Sequence, residues 1–128
     1  MTGNRGAAAY ENLGPFYDAS TLGLLVELRT QSVEDMVRDG EIICLITSDG
    51  DHLYPAFQFF GPGLTPLPDL ALVLAALDPR HIDSWGDAIW LREPRPELGG
   101  HSPAEALRQG GTEDVVGLAN QAGTLTAP

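Results

Sequence analysis

The chain has 128 residues, 43% of them hydrophobic, which suffices for one compact domain or two very small ones that share a core. Its formal net charge is −11, and all seven basic residues are arginine, which argues against a nucleic-acid binder driven by electrostatic attraction. The single cysteine excludes an intrachain disulfide.

The sequence shows no targeting or membrane-spanning segment. Residues 1–9 are polar and small, without the apolar centre of a signal peptide. No apolar stretch approaches the roughly 20 residues that a transmembrane helix needs. We therefore expect a cytoplasmic protein with no membrane partner.

The N-terminal part predicts a flexible tail followed by a helix-turn-helix-like module. Residues 1–17 lack periodicity and are interpreted as the tail, with local order around Tyr10, Leu13, Phe16 and Tyr17 as the alternative, and residues 18–60 are interpreted as the module. Apolar residues at helical spacing are interrupted at 30–32, where Ser32 is a candidate cap for the second helix. Gly40 ends that helix in this interpretation.

A β-hairpin is predicted at the end of this module. Two runs rich in β-forming residues, 41–47 and 52–59, flank a turn that contains Asp49-Gly50, one of the strongest short hairpin signals. Pro55 has no amide hydrogen to donate, so we expect it at a sheet edge or a bulge.

A linker and a helical domain follow. Residues 61–66 are rich in glycine and proline and predict the linker, and residues 67–128 the helical domain. An apolar stripe between Leu67 and Leu77 predicts its first helix, and Asp83 is a candidate cap of the second. Helices starting near Pro103 and Glu113 complete the domain, with Thr112 as a candidate cap of the last.

The segment between the second and third of these helices has the clearest structural signals. One helix ends at residues 91–92, and a proline-spaced turn leads to Gly99-Gly100. Ser102 is then a good N-cap, because proline occupies the first helical position and Glu105 the third. The sequence therefore predicts a rigid turn between two helices.

This string resembles the C-terminal toxin-binding domain of Xre/MbcA/ParS-type antitoxins, which carry the pattern W-x-x-x-P-(N/R)-P-x-L-G-G-x-(S/T)-P-x-(D/E)-x-L. The matching positions are Trp90, Pro94, Pro96, Leu98, Gly99, Gly100, Ser102, Pro103, Glu105 and Leu107. In many relatives a helix-turn-helix precedes a Y-P-A-F-Q-F strand, and residues 54–59 match that strand fully. The resemblance in the C-terminal half covers residues 67 to 122.

The resemblance implies a partner and a contact surface. Members of this family neutralise a RES-domain toxin, an enzyme that consumes NAD, and their last helix and tail cover its active site. The toxin-binding residues expected here are Arg92, Pro94, Arg95, Leu98, Gly99, Gly100, Ser102, Leu118 and Leu125. The alternative is an ordinary solvated turn above a core built from the tryptophans and the apolar stripe.

A transcriptional regulator that reads an operator is the alternative function, and it is compatible with the first because antitoxins usually autoregulate. The candidate recognition helix covers residues 32–39. Its candidate DNA contacts are Gln31, Ser32 and Arg38. Three carboxylates on the same helix would repel phosphates, so a scaffold or dimerisation helix is the competing interpretation. An interaction adaptor without a toxin is a third possibility.

Nothing in the sequence indicates a catalytic or metal site. The histidines at 52, 81 and 101 are dispersed, without cysteine or carboxylate at ligand spacing. No catalytic triad order, phosphate loop or dinucleotide fingerprint is present, so we expect neither an enzyme nor a cofactor. The overall expectation is a mainly α fold with one β-hairpin, assembled as a homodimer or as a larger complex with the toxin.

Overall fold

The computed structural model describes residues 13–25, 33–61 and 64–126, and these residues contain six α-helices and five short β-strands. The strands are β1 (Phe16–Asp18), β2 (Leu45–Ile46), β3 (His52–Pro55), β4 (Phe59–Phe60) and β5 (Thr65–Pro66). The helices are α1 (Ala19–Leu25), α2 (Val33–Arg38), α3 (Leu70–Leu77), α4 (Ser84–Arg92), α5 (Pro103–Arg108) and α6 (Thr112–Thr126). The predicted class, mainly α with a β-hairpin, is confirmed.

The N-terminal unit begins earlier than the sequence indicated. Phe16 and Tyr17 lie in β1, which pairs antiparallel with β3, and Leu13 is fully buried in the main core. The prediction of a flexible tail over 1–17 is therefore wrong for its last residues, because their apolar side chains find partners in the sheet and core. Residues 1–12 lie outside the described part of the chain.

The helices α1 and α2 pack beside the three-stranded sheet β1–β3–β2. Asp18 caps α1: its carboxylate accepts a hydrogen bond from the Thr21 amide at 2.7 Å, and such hydrogen bonds lower the pKa of Asp18. α2 buries Met36 and ends at Arg38, and Gly40, with a φ of 74°, lies just beyond its end as the predicted helix stop. The predicted break and its cap Ser32 lie outside the described residues, so the helix-turn-helix geometry stays a prediction.

The second β-rich run does not form one strand. β3 stops at Pro55, a 3₁₀ turn follows over Ala56–Gln58, and the chain then enters β4. Pro55 pairs with Phe16 in the central strand of the sheet, so the expected edge or bulge position is wrong. Proline is tolerated there because it is the last residue of the strand, where the ladder ends.

The predicted linker is part of the fold. Within 61–66, β5 pairs with β4 to form a second hairpin, and the amide of Leu67 donates to the carbonyl of Gln58 at 2.8 Å. Residues from both predicted domains share the main core, including Ile43 and Phe57 from the first and helices α3 to α6 from the second. The main core therefore spans the boundary at 61–66, while a second, smaller hydrophobic cluster lies within the N-terminal part and consists of Leu22, Met36, Ile42, Cys44, Tyr54 and Phe59.

The C-terminal helices follow the predicted helix starts closely. The carboxylate of Asp83 caps α4 by accepting from the amide of Gly86 at 3.0 Å, as predicted. Thr112 was expected to cap α6 but lies inside it, and its hydroxyl donates to the carboxylate of Asp69 at 2.9 Å. Among the described residues, no helix is long and apolar enough to cross a membrane.

Candidate partner-docking site

Hydrogen bonds of its own backbone fix the turn between α4 and α5. The carbonyl of Arg95 accepts from the amides of Leu98 and Gly100 at 3.0 and 2.9 Å. The amide of Arg95 donates to the carbonyl of His101 at 3.0 Å. Gly99 and Gly100 have φ values of 67° and 87°, a region in which a Cβ atom is strained. The turn is therefore a preformed surface feature.

A capping box anchors the turn to α5. The amide of Glu105 donates to the hydroxyl of Ser102 at 3.2 Å, and the amide of Ser102 donates to the carboxylate of Glu105 at 2.9 Å. These hydrogen bonds lower the pKa of Glu105. Ser102 is buried and supports the turn from inside, and its expected contact with a partner stays a prediction.

Two arginines, one at the end of α4 and one in the turn, stack on aromatic rings of the same chain. The guanidinium of Arg92 lies 5.4 Å from the ring centre of Phe57, and that of Arg95 lies 4.8 Å from the ring centre of Trp90. Both side chains are half-buried. They brace the turn against the core, and their expected pairing with carboxylates of a partner stays a prediction.

A groove of about 230 Å³ lies between this turn and the first turns of α6. Its apolar part comes from Leu98 and Leu118, two of the expected contact residues, which the fold brings together although they are distant in sequence. The other lining residues are Glu97, Glu113, Asp114, Gly117 and Gln121. A Cβ atom on Gly117 would meet no heavy atom within 4 Å, so this glycine leaves the groove open.

Negative charge surrounds the apolar part of the groove. The three carboxylates are exposed, and none of the lining residues is basic. Glu113 and Asp114 also occupy the first turn of α6, where the helix dipole favours negative charge. The arrangement suits a segment that places an apolar group between the leucines and a cation beside the carboxylates.

The structure describes some, but not all, of the remaining residues expected to contact the toxin. Pro94, Gly99 and Gly100 are exposed in the same turn as Leu98, but they do not line the groove. The backbone of Leu125 belongs to α6, but its side chain lies outside the described residues. The groove thus joins the turn to the start of α6, and the contact expected at residue 125 stays a prediction.

The candidate DNA contacts gain no support from the geometry. Arg38 is exposed, and its guanidinium forms ion pairs with Asp35 at 2.8 Å and with Asp39 at 3.4 Å. Its charge is therefore partly neutralised by carboxylates of its own segment. Gln31 and Ser32 lie outside the described residues.

A second cleft, of about 350 Å³, lies beside the start of α4 and contains a carboxyl pair that the sequence did not reveal. Asp78 accepts hydrogen bonds from the amides of Ile82 and Asp83 at 3.2 and 2.9 Å, and its side chain also bonds that of Asp87. Burial, then the hydrogen bond and charge of Asp78, raise the pKa of Asp87 to about 8. Burial acts to raise the pKa of Asp78 too, but hydrogen bonds from Asp87 and the two amides outweigh it and lower that pKa.

This pair has a structural explanation. A protonated Asp87 donates to an ionised Asp78. The carboxylate of Asp78 also accepts from two backbone amides and so fixes the loop that leads into α4. Within the described part of the chain, no group of three or more histidine, cysteine or acidic residues is arranged to hold a metal ion. The pair is visible only in the folded structure, because Asp78 follows the end of α3 and Asp87 lies in the first turn of α4.

Comparison with known proteins identifies a similar fold. No family model matches the sequence, and no curated protein matches it. The solution structure of Rv2175c, determined by NMR, is similar with a TM-score of 0.69 at 22% sequence identity. The similarity covers 84% of this chain and 80% of that one. At this identity it shows that the two chains share a fold.

Proposed function

We propose that this protein is an antitoxin that binds a RES-domain toxin and blocks the site where that enzyme consumes NAD. The observation that carries the proposal is the groove between the turn and α6, because it joins Leu98 of the antitoxin-like string to Leu118 of the last helix. The resemblance of that string to the toxin-binding domain of Xre/MbcA/ParS-type antitoxins supplies the identity of the partner.

The physical basis of inhibition is occlusion. A turn fixed by backbone hydrogen bonds and a capping box loses little conformational entropy on binding, so more of the contact energy contributes to affinity. A standard interface buries roughly 800 Å² on each partner. The groove alone is smaller than that, so the exposed residues Pro94, Gly99 and Gly100 and the outer face of α6 complete the contact in this proposal.

The test is co-purification of the full chain with a RES-domain protein encoded beside it, followed by an NAD-consumption assay. We expect a stable complex and loss of NAD consumption. Gly117→Gln fills the groove without removing any side chain and should weaken binding at least about tenfold, a loss of about 1.4 kcal/mol. Gly117→Ala is the matched control and should bind as the wild type does.

Two results would overturn the proposal. One is the absence of association between folded chain and toxin at micromolar concentrations. The other is a complex in which the toxin consumes NAD at its free rate. A transcriptional regulator is the alternative function. No contact among the described residues favours it over the antitoxin.

A further inference from the structure

We infer that the groove selects a partner segment in which an arginine or lysine lies next to an apolar side chain. This inference rests on the proposed docking function and names the chemistry that the groove recognises on the partner.

The apolar floor of the groove is preformed. Leu98 and Leu118 are partly buried and pack against the main core, so their positions do not depend on a ligand. Gly117 lies between the flanking carboxylates without a side chain, which leaves about 230 Å³ accessible. That volume accepts a single side chain of a partner, and apolar surface buried there leaves water on both molecules.

The negative charge around the apolar floor of the groove favours a cation that the partner supplies. Glu97, Glu113 and Asp114 are exposed at the groove, while the arginines nearest to this region are engaged elsewhere. Arg92 and Arg95 stack on aromatic rings, and the guanidinium of Arg108 donates to carbonyls of the β4 hairpin region. A positively charged partner segment would therefore find carboxylates without a competing basic side chain in the groove lining.

The same charge disfavours the other occupants. A second copy of this chain also carries a net charge of −11 and contains no lysine, so charge repulsion opposes its docking at this acidic groove. A nucleic acid would bring phosphates against three carboxylates. A different protein with a basic contact segment is the occupant that fits.

The first experiment removes the charge and keeps the shape. The groove variant carries Glu97→Gln, Glu113→Gln and Asp114→Asn, and the control variant carries Glu34→Gln, Asp49→Asn and Asp51→Asn, three exposed carboxylates away from the groove. Calorimetry with the RES-domain partner should show affinity reduced about tenfold or more in the groove variant and weaker dependence on salt. The control variant changes net charge equally and should stay within about twofold of the wild type.

The second experiment needs no toxin. The full ¹⁵N-labelled chain is titrated by NMR with acetyl-Arg-Leu-Arg-amide and, as control, acetyl-Glu-Leu-Glu-amide at millimolar concentration. The arginine peptide should shift the amide signals of Gly99, Gly117, Leu118 and Gln121, and Gly117→Gln should abolish these shifts. The glutamate peptide should leave them unchanged.

The two experiments separate the inference from the function on which it rests. If the toxin binds but the groove variant binds equally well and neither peptide shifts the groove signals, the inference fails and the docking function stands. If the arginine peptide binds but no toxin does, the antitoxin function fails and the selectivity of the groove stands. Binding of nucleic acid or of a second copy at the groove would overturn the inference.

Discussion

Gln58 shows how one side chain replaces a missing strand neighbour. Its amide oxygen accepts from the backbone amide of Ile43 at 2.6 Å, and its amide nitrogen donates to the carbonyl of the same residue at 2.9 Å. Gln58 is completely buried, and Ile43 is buried just before β2 begins. Because buried backbone groups need partners, this glutamine fixes the path of the chain into the sheet.

Replacing Gln58 by alanine should destabilise the fold strongly. Two backbone groups of Ile43 would lose their partners in a dry environment, so we expect the free energy of unfolding to fall by about 2–4 kcal/mol. Urea denaturation followed by circular dichroism measures the loss. Gln109→Ala, at an exposed position, is the control and should change stability by less than about 0.5 kcal/mol. Equal stability of both variants would contradict this account of Gln58.

The pair of Asp87 and Asp78 predicts a pH dependence with a defined sign. The ordinary pKa of an aspartate is 3.8 and that of Asp87 in the fold is about 8, so the folded state holds a proton that the unfolded state releases. The stability due to this group is greatest below pH 3.8, falls as the pH rises, and levels off above about 8. The lowered pKa of Asp78 affects the stability only at more acid pH, around and below its ordinary pKa of 3.8.

Unfolding free energies measured by urea denaturation between pH 5 and pH 8 test this prediction. The wild type should lose up to about 1.4 kcal/mol per pH unit from Asp87. Asp87→Asn keeps a donor toward Asp78 without an ionisable group, so its stability should depend less on pH. Asp49→Asn, at an exposed carboxylate in the β2–β3 turn, should keep the wild-type slope. If the free energy of unfolding changed with pH equally in all three proteins, the proton shared by Asp87 and Asp78 would be ruled out.

At the scale of elements, α6 depends on a close approach to α3. A Cβ atom on Gly123 would collide with the carbonyl oxygen of Ala76, whereas one on Gly117 in the same helix would meet nothing within 4 Å. The absence of a side chain at Gly123 thus allows the two helices to pack along their lengths. At the other end of α6, the hydroxyl of Thr112 donates to Asp69 just before α3, so both ends of α6 are fixed against this part of the chain and its first turns line the groove.

The two glycines of α6 should respond oppositely to alanine. Gly123→Ala forces the helices apart and should destabilise the protein by about 1–3 kcal/mol. Gly117→Ala should stabilise it by up to about 1 kcal/mol, because alanine favours the helix and has room. Thermal unfolding of both variants gives the comparison. A stabilised Gly123→Ala protein would mean that α3 and α6 do not approach as described.

At the scale of the whole molecule, contacts between the N-terminal sheets and the C-terminal helices make one folding unit. The indole nitrogen of Trp85 donates to the carbonyl of Ile46 at 3.2 Å. The guanidinium of Arg108 donates to the carbonyls of Phe57 and Phe59, both at 3.0 Å. The main core contains buried residues from both sides, including Leu13.

A fragment that contains only residues 64–128 should therefore fail to reach the native fold. It would leave apolar surfaces of α3, α4 and α5 uncovered, because residues from 13 to 57 normally bury them. The ¹H–¹⁵N spectrum of the fragment should show poor dispersion, whereas the full chain should give dispersed signals and a single unfolding transition. A fragment spectrum that overlays on that of the full chain would show that the helical part folds alone.

The sequence by itself determined the elements whose signals are local. Ser102 with Glu105, Asp83 and Gly40 mark helix ends in the structure as predicted, because a cap depends on residues within one turn. The mainly α class and the first hairpin follow from periodicity and from Asp49-Gly50 in the same way.

Only the tertiary structure decided which distant residues meet. The recruitment of residues 13–17 to the core, the second hairpin at the supposed linker and the pair of Asp78 and Asp87 depend on contacts between separate elements. The groove also arises in this way, because Leu98 and Leu118 lie on different elements that α3 and α5 hold together. Local patterns do not encode such distances, since burial and packing are properties of the whole fold.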